Sequence, residues 1–466
     1  MENNTVKQLE EALLYSAKPV AELQPDTVAL AEEFCRGYKQ FLNESKTERE
    51  AAALSIRMLQ EAGYKPFEPG RRYEAGEKVY YDNRGKCVLA ATIGREPLSA
   101  GIHMNMSHID SPRLDLKQMP LYEDGGLALF KTHYYGGLRK YQWTAVPLAL
   151  HGVLYKAGGE KVEFCVGEKD DDPVFYVTDL LPHLSREQNE RTLRNGIRGE
   201  ELNIVVGSLP IQEEGAKQKV KLFTMQLLNQ QYGIVEKDFI RAEIEAVPAH
   251  KARDVGFDRA LIGAYGHDDR VEAYPALLAE IEVQSPRFTT LCVLTDKEET
   301  GSNGTTGLRG DYVFHFIQQL CAAQDADYVA CLMASKCLSS DVNAAFDPTF
   351  PEVNDRRNCA YAGKGVVLTK YTGSGGKSDT NDASAEMVAY IADLLDDAGV
   401  AWQIGELGKV DQGGGGTVAK FVAERNVDTI DIGVPVLSMH APFELVAKTD
   451  VYMAYKAFAA FAAAEH

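Results

Sequence analysis

At 466 residues the chain is long enough for one large core plus a second, smaller domain, and its apolar share of 45% is ordinary for a globular protein. Its 49 Lys+Arg stand against 68 Asp+Glu, a net charge of −19, so the surface repels phosphate backbones and nucleic acid is excluded as a partner. The start, Met1-Glu2-Asn3-Asn4-Thr5, lacks the basic-then-apolar order of an export signal, and no apolar run nears the roughly 20 residues of a membrane span, so the expectation is a soluble cytoplasmic protein with no membrane partner.

Helical signals come first. Thr27 to Leu42 has apolar residues at helical spacing, and Thr47-Glu48-Arg49-Glu50 is a capping box ahead of Ala51-Ala52-Ala53-Leu54. Val79-Tyr80-Tyr81 then turns at Asp82-Asn83-Arg84-Gly85 into Val88 to Ile93, a hairpin pattern, and Gly101 to Ser107 reads as an inner strand ending at His108-Ile109-Asp110-Ser111-Pro112. From Arg113 to Arg253 the texture changes: short β-type runs (Val162 to Val166, Val174 to Val177, Leu202 to Val206) alternate with Gly-Gly turns and the polar stretch Ser185 to Glu201, which suggests an inserted domain.

Strand, loop and helix follow one another afterwards, with strands expected at Thr289 to Thr295, Tyr328 to Ala334, Gly365 to Tyr371, Val400 to Ile404 and Thr429 to Met439. Val451 to Ala464 reads as a packing helix. The fold class is therefore α/β, a sheet covered by helices, built from residues 1–112 and 254–466, with 113–253 inserted. Eight cysteines without a Cys-x-x-Cys pair, several inside apolar runs, read as buried, reduced thiols.

Sites in open α/β sheets form beyond the carboxyl ends of strands, so the polar residues that follow the apolar runs are the candidates. His108 follows Ile102 to Met106, the pair Glu298-Glu299 follows Leu291 to Leu294, Asp341 comes after Ala330 to Ala334, and His440 follows Val434 to Met439. Asp268, in Gly266-His267-Asp268-Asp269-Arg270, precedes a helix beginning near Val271. Two histidines and several carboxylates converging from separate strands match the donor chemistry of zinc and related divalent metals, and a carboxylate shared by two ions would make a two-metal centre, a place that suits Asp268. Asp110, two residues beyond His108, lies on the same side of an extended chain and suits an orienting role. Each also has a plainer reading: Glu298-Glu299 could merely open the next helix, and Asp-Asp-Arg could be a surface ion pair or helix cap.

In this order, Ser107-His108-Ile109-Asp110-Ser111-Pro112, Asp179-Leu180-Leu181-Pro182-His183-Leu184, Gly266 to Arg270, Asp296-Lys297-Glu298-Glu299-Thr300-Gly301-Ser302, Ser340-Asp341 and Ser438-Met439-His440 resemble the M18 family of metalloaminopeptidases. The resemblance implies a zinc-aminopeptidase catalytic domain of the phosphorylase/hydrolase-like type, with a mixed sheet and helices on both faces, and a β-rich dimerisation domain at 113–253. It implies two divalent ions, zinc first and cobalt or manganese next. Asp268 would bridge them, His108 and Asp341 would complete one site, and Glu299 and His440 the other. Glu298 would be the general base, Asp110 the orienting carboxylate, and His183 would reach into a neighbouring subunit. The substrates implied are peptides with free N-termini, and the assembly is a tetrahedral dodecamer of dimers.

Two departures point towards the aminopeptidase I branch. Where many relatives carry Asp-Met-Ala-His-Ala-x-His-Pro, this chain reads Asp341-Val342-Asn343-Ala344-Ala345-Phe346-Asp347-Pro348, and around Gly373 to Ser378 it lacks the tyrosine of aspartyl-type members. Lys370 is either a partner for an acidic first side chain or an ordinary surface lysine. Met439 either lines an apolar pocket or packs in the core. The rival functions are another di-metal amidohydrolase, such as a deacylase or carboxypeptidase, and a catalytically silent assembly protein.

Overall fold

The computed structural model describes residues 2–466; Met1, which opens the segment read above for an export signal, lies outside them. A mixed nine-stranded sheet holds the larger part of the chain, in the order Lys65–Pro66, Lys78–Asn83, Cys87–Thr92, Thr289–Thr295, Ile102–His108, Lys336–Ser340, Asp428–Gly433, Val366–Thr369 and Trp402–Ile404. Ile102–His108 lies parallel between Thr289–Thr295 and Lys336–Ser340, and Asp428–Gly433 continues the parallel block. Strands in such a block are covered on both faces, which is why Leu291-Cys292-Val293-Leu294 is an unbroken buried run instead of an alternating one.

Alternation sends side chains to two cores. Met104, Met106, Leu291 and Val293 pack with the helices Tyr312–Ala323 and Tyr328–Ala334, whereas Cys292, Leu294 and Leu338 pack with His267–Glu282 and Lys448–Ala462. The helix Glu48–Glu61 starts where the sequence places it, with the Thr47 side chain accepting from Glu50 N and the Glu50 carboxylate accepting from Thr47 N.

Two expectations about strands are corrected. Tyr328–Ala334 is a helix: the Asp327 carboxylate caps it by accepting from Val329 N and Ala330 N, and only Cys331 and Leu332 of the run are buried. Short apolar runs carry no periodicity strong enough to separate the two structures, and the true strand is the more polar Lys336–Ser340. The run Thr429 to Met439 is two strands, because Gly433 ends the first where its backbone closes on Asp341 O, and Pro435–Leu437 enters a separate five-stranded sheet.

A third sheet draws all seven of its strands from Arg113–Asp124 to Ala242–Pro248 and is antiparallel throughout. Pairing of Ala242–Pro248 with Pro147–Tyr155 closes it around Trp143, Leu154 and Phe164. All eight cysteines are free and seven are buried; Cys165 corrects the sequence expectation, since its strand buries Phe164 and turns the next side chain outward. Among the described residues no helix is long and apolar enough to cross a membrane.

Candidate metal centre

The parallel register carries the candidate residues to one edge. Thr295 pairs with His108, so the turn after Thr295 emerges beside the histidine, and Asp341 leaves the next strand immediately after Ser340. Lys297 adopts a left-handed φ of 67° and Gly301 one of 86°, which fold Glu298–Thr300 into a single 3-10 turn. Glu298 and Glu299 therefore do not open the next α-helix, which begins at Tyr312. Their backbone N–H groups donate to the Asp110 carboxylate at 3.1 and 3.3 Å. Asp268 sits in the first turn of His267–Glu282, where it and Asp269 depart from helical geometry, and His440 lies in a loop where it and Ser438 both take left-handed φ angles. Residues held in such sparsely populated conformations concentrate at functional sites.

Asp268 faces two histidines with separate oxygens. Its Oδ1 is 3.1 Å from His108 Nε2 and its Oδ2 is 3.0 Å from His440 Nε2. Asp341 Oδ1 lies 3.8 Å from the same His108 nitrogen, and Glu299 Oε1 lies 3.6 Å from the same His440 nitrogen. The far nitrogens are occupied: His108 Nδ1 is 2.9 Å from Asp110 O and His440 Nδ1 is 3.0 Å from Gly137 O. In a neutral ring, a nitrogen that donates to a carbonyl leaves the other unprotonated and free to ligate, the state a bound cation would select over the protonated one.

Three features test whether a divalent cation fits. His108 Nε2, Asp268 Oδ1 and Glu299 Oε1 are buried and make no hydrogen bond, because their orientations do not suit one even where distances are short. His108, Asp268 and Glu299 form one compact donor group, and His108, Glu298 and Asp341 form another. Carboxylates outnumber bases: burial, reinforced by Asp341, pushes the Glu298 carboxyl up to about 8, and burial with the charge of Asp268 pushes Glu299 well above its usual range. Burial likewise raises Asp341. At Asp268 burial is outweighed by the neighbouring rings of His108 and His440, which hold it below the normal carboxylate range. Divalent cations would neutralise this surplus, so the donor set fits them. A further trio, Glu50, His151 and Cys165, needs no ion: both His151 nitrogens already meet carboxylates, Glu50 at 2.7 Å and Glu168 at 3.0 Å.

The group opens into a cleft of about 250 Å³ whose walls include Val342, Thr369, Leu407, Gly416 and Met439. Met439 thus lines the cleft, while Lys370 is absent from its lining and pairs with Asp382 at 2.5 Å. The glycine run 413–416 is a close-approach loop: a Cβ on Gly413 would fall on Leu407 O and one on Gly414 on Ser374. His183 is exposed on the inserted segment, outside the cleft lining of its own chain.

Sequence reasoning passed over Glu444 and Asp269. Glu444 Oε1 accepts from His440 N at 2.7 Å and its Oε2 from Asp268 N at 3.2 Å, so one buried carboxyl ties two candidate ligands together. Asp269 Oδ2 accepts from His108 N at 3.2 Å. The available signal for Glu444 is an acid within the apolar stretch Ala441 to Ala447; for Asp269 it is adjacency to Asp268.

Comparison with known proteins adds the following. The family described as "Aminopeptidase I zinc metalloprotease (M18)" matches residues 41–462. A Clostridium acetobutylicum protein named "Probable M18 family aminopeptidase 1" is 48% identical over 446 residues, covering 94% of this chain and 96% of its own. The crystal structure of an M18-family aminopeptidase from Thermotoga maritima is similar at a TM-score of 0.92 and 42% identity, covering 96% of this chain and 99% of that one. The structure of aminopeptidase I from Clostridium acetobutylicum gives 0.91 at 44% identity, over 97% of this chain and 100% of that one.

Proposed function

The chain belongs to the M18 family of zinc metalloproteases and is an aminopeptidase, and from that premise we propose that it removes single N-terminal residues through two divalent ions sharing Asp268. In this reading His108 and Asp341 complete one site and Glu299 and His440 the other. Zinc is the first choice of metal, with cobalt and manganese as substitutes. The observation that carries it is the division of Asp268, with one oxygen towards each histidine at 3.1 and 3.0 Å. When bound, the ions supply electrophilic assistance to a carbonyl and lower the pKa of water.

The chain's own residues do the rest. Glu298 takes a proton from the attacking water and returns it to the leaving amine, a role open to it once bound cations offset the neighbouring carboxylates and leave it ionised. Asp110 holds the Glu298–Glu299 turn and the His108 ring, so that base and ligand keep a fixed relation. Met439 forms part of the wall against the first side chain. Lys370 could meet an acidic first side chain only after leaving Asp382.

We assign residues 113–253 to self-association, in dimers that build a dodecamer, with His183 stabilising the oxyanion in the partner's site. The exposed Leu180, Leu181 and Leu184 beside His183 support that assignment. The cytoplasm is the proposed compartment, consistent with eight free thiols.

The test pairs a peptide with its N-acetylated twin, before and after exhaustive chelation. Only the free-amino peptide should be cleaved, chelation should abolish cleavage, and zinc, cobalt or manganese should restore it. Cleavage of the acetylated twin would instead favour a deacylase or endopeptidase. Activity indifferent to chelation would refute the metal centre.

A further inference from the structure

The inserted sheet does more than sit beside the metal centre, because the end of one of its strands touches both halves. Leu127–Tyr135 runs into Gly136 and Gly137, and these consecutive residues meet three different site groups. The Tyr135 hydroxyl donates to Asp110 Oδ2 at 2.8 Å. Gly137 O accepts from His440 Nδ1 at 3.0 Å. Gly136, at φ 75°, lies so close to Glu299 that a Cβ there would fall 3.1 Å from Glu299 Oε2, and a Cβ on Gly137 would fall 3.2 Å from His440 Nδ1.

The strand end is itself fixed. Arg113 is Tyr135's cross-strand partner, and its guanidinium lies 3.8 Å from the centre of the tyrosine ring. Arg113 is buried and anchored on both sides of the domain junction, by Glu245 at 3.2 Å and Asp115 at 2.9 Å within the inserted sheet and by Glu48 at 3.4 Å from the helix Glu48–Glu61.

We propose that Tyr135–Gly137 is a positioning clamp for the metal centre, supplied by the inserted sheet. Tyr135 fixes Asp110, and through it His108 and the Glu298–Glu299 turn, while the Gly137 carbonyl fixes the ring of His440. Neither Tyr135 nor Gly137 is part of the cleft lining. The inference rests on the two-ion reading, and it assigns to the inserted sheet a share in metal affinity distinct from self-association. Glycine suits Gly136 because its φ is left-handed, and at both positions it lets the backbone approach ligand side chains that a Cβ would crowd.

Tyr135→Phe removes one hydroxyl and keeps the ring stacked by Arg113. Zinc affinity of the metal-free protein, measured by competition with a chromogenic chelator, should fall roughly 10–100-fold, as for loss of other partners that orient metal ligands. kcat should fall at an almost unchanged KM, the d–d spectrum of the cobalt-loaded protein should shift, and the Tm of the metal-free protein should stay at the wild-type value. A Tyr135→Phe protein with wild-type zinc affinity and cobalt spectrum overturns the clamp. If that variant also lowers the metal-free Tm, Gly137→Ala decides: crowding of His440 should weaken one zinc site, and two sites of wild-type affinity would overturn the clamp. The underlying two-ion reading fails separately, if the wild-type chain does not bind two ions.

Discussion

Glu298 and Glu299 are adjacent in the chain and each belongs to a compact donor group, yet the left-handed turn at Lys297 and the two backbone bonds to Asp110 send their carboxylates to different neighbours. Glu299 joins His440 and Asp268, whereas Glu298 joins His108 and Asp341. Glu299→Gln replaces a ligand oxygen of negative charge with a neutral amide. Zinc affinity should therefore fall by more than the roughly tenfold lower bound seen for outer partners, as measured by chelator competition; a variant that keeps wild-type affinity would remove Glu299 from the ligand set. His108, Glu299 and Asp341 were legible in the sequence because each ends or follows a strand at one edge of the nine-stranded sheet, His440 because it follows Pro435–Leu437 of the five-stranded sheet, and Asp268 because it stands just ahead of a helical run. Glu444 was not, because its meaning depends on a fold-back that brings Asp268, 176 residues away, to its second oxygen. Local pattern holds no trace of such a contact. Tyr135 and Gly137 were hidden for the same reason.

At the scale of elements, the helix His267–Glu282 is tied to the sheet by a buried carboxyl at its far end. Glu280 Oε1 receives hydroxyls from Thr92 at 2.7 Å, Thr290 at 3.1 Å and Tyr64 at 3.1 Å, linking two strands to the helix. Burial nevertheless dominates and pushes this carboxyl from 4.5 up to about 7. The folded state therefore holds the proton more tightly than the unfolded one, so stability falls as pH rises from about 4.5 to about 7 and is level beyond. Glu280→Gln cannot titrate. Its stability relative to wild type should rise by about 3 kcal/mol between pH 4.5 and pH 8, read from denaturant melts at each pH; parallel pH profiles for the two proteins would contradict this. Elements with strong signals were correctly legible, including the capping box at Thr47, the hairpin Lys78–Asn83 with Cys87–Thr92, and the inner strands. The failures fell where signals are local and tertiary contacts decide: the apolar run Tyr328–Ala334 took the helix its Asp327 cap offers, and Gly433 divided what read as one strand.

At the scale of the whole molecule, the two proposals together would make the sheet of residues 113–253 a link between assembly and chemistry. It clamps its own chain's centre through Tyr135–Gly137, and in the proposed dimer it lends His183 to the partner. Leu181→Asp combined with Leu184→Asp places two charges in the exposed apolar stretch beside His183. The particle mass from light scattering should drop and kcat should fall with it, while zinc content stays at the wild-type value. An unchanged mass would place the interface elsewhere. The proposed chemistry depends on a metal centre in which Glu298 moves the proton without being needed to hold the ions. The most direct test is therefore Glu298→Gln, with zinc per chain and release of the N-terminal residue measured on the same preparation. The account predicts full zinc content and turnover reduced about 10²–10⁴-fold; turnover near the wild-type level, or loss of the metal, would contradict it.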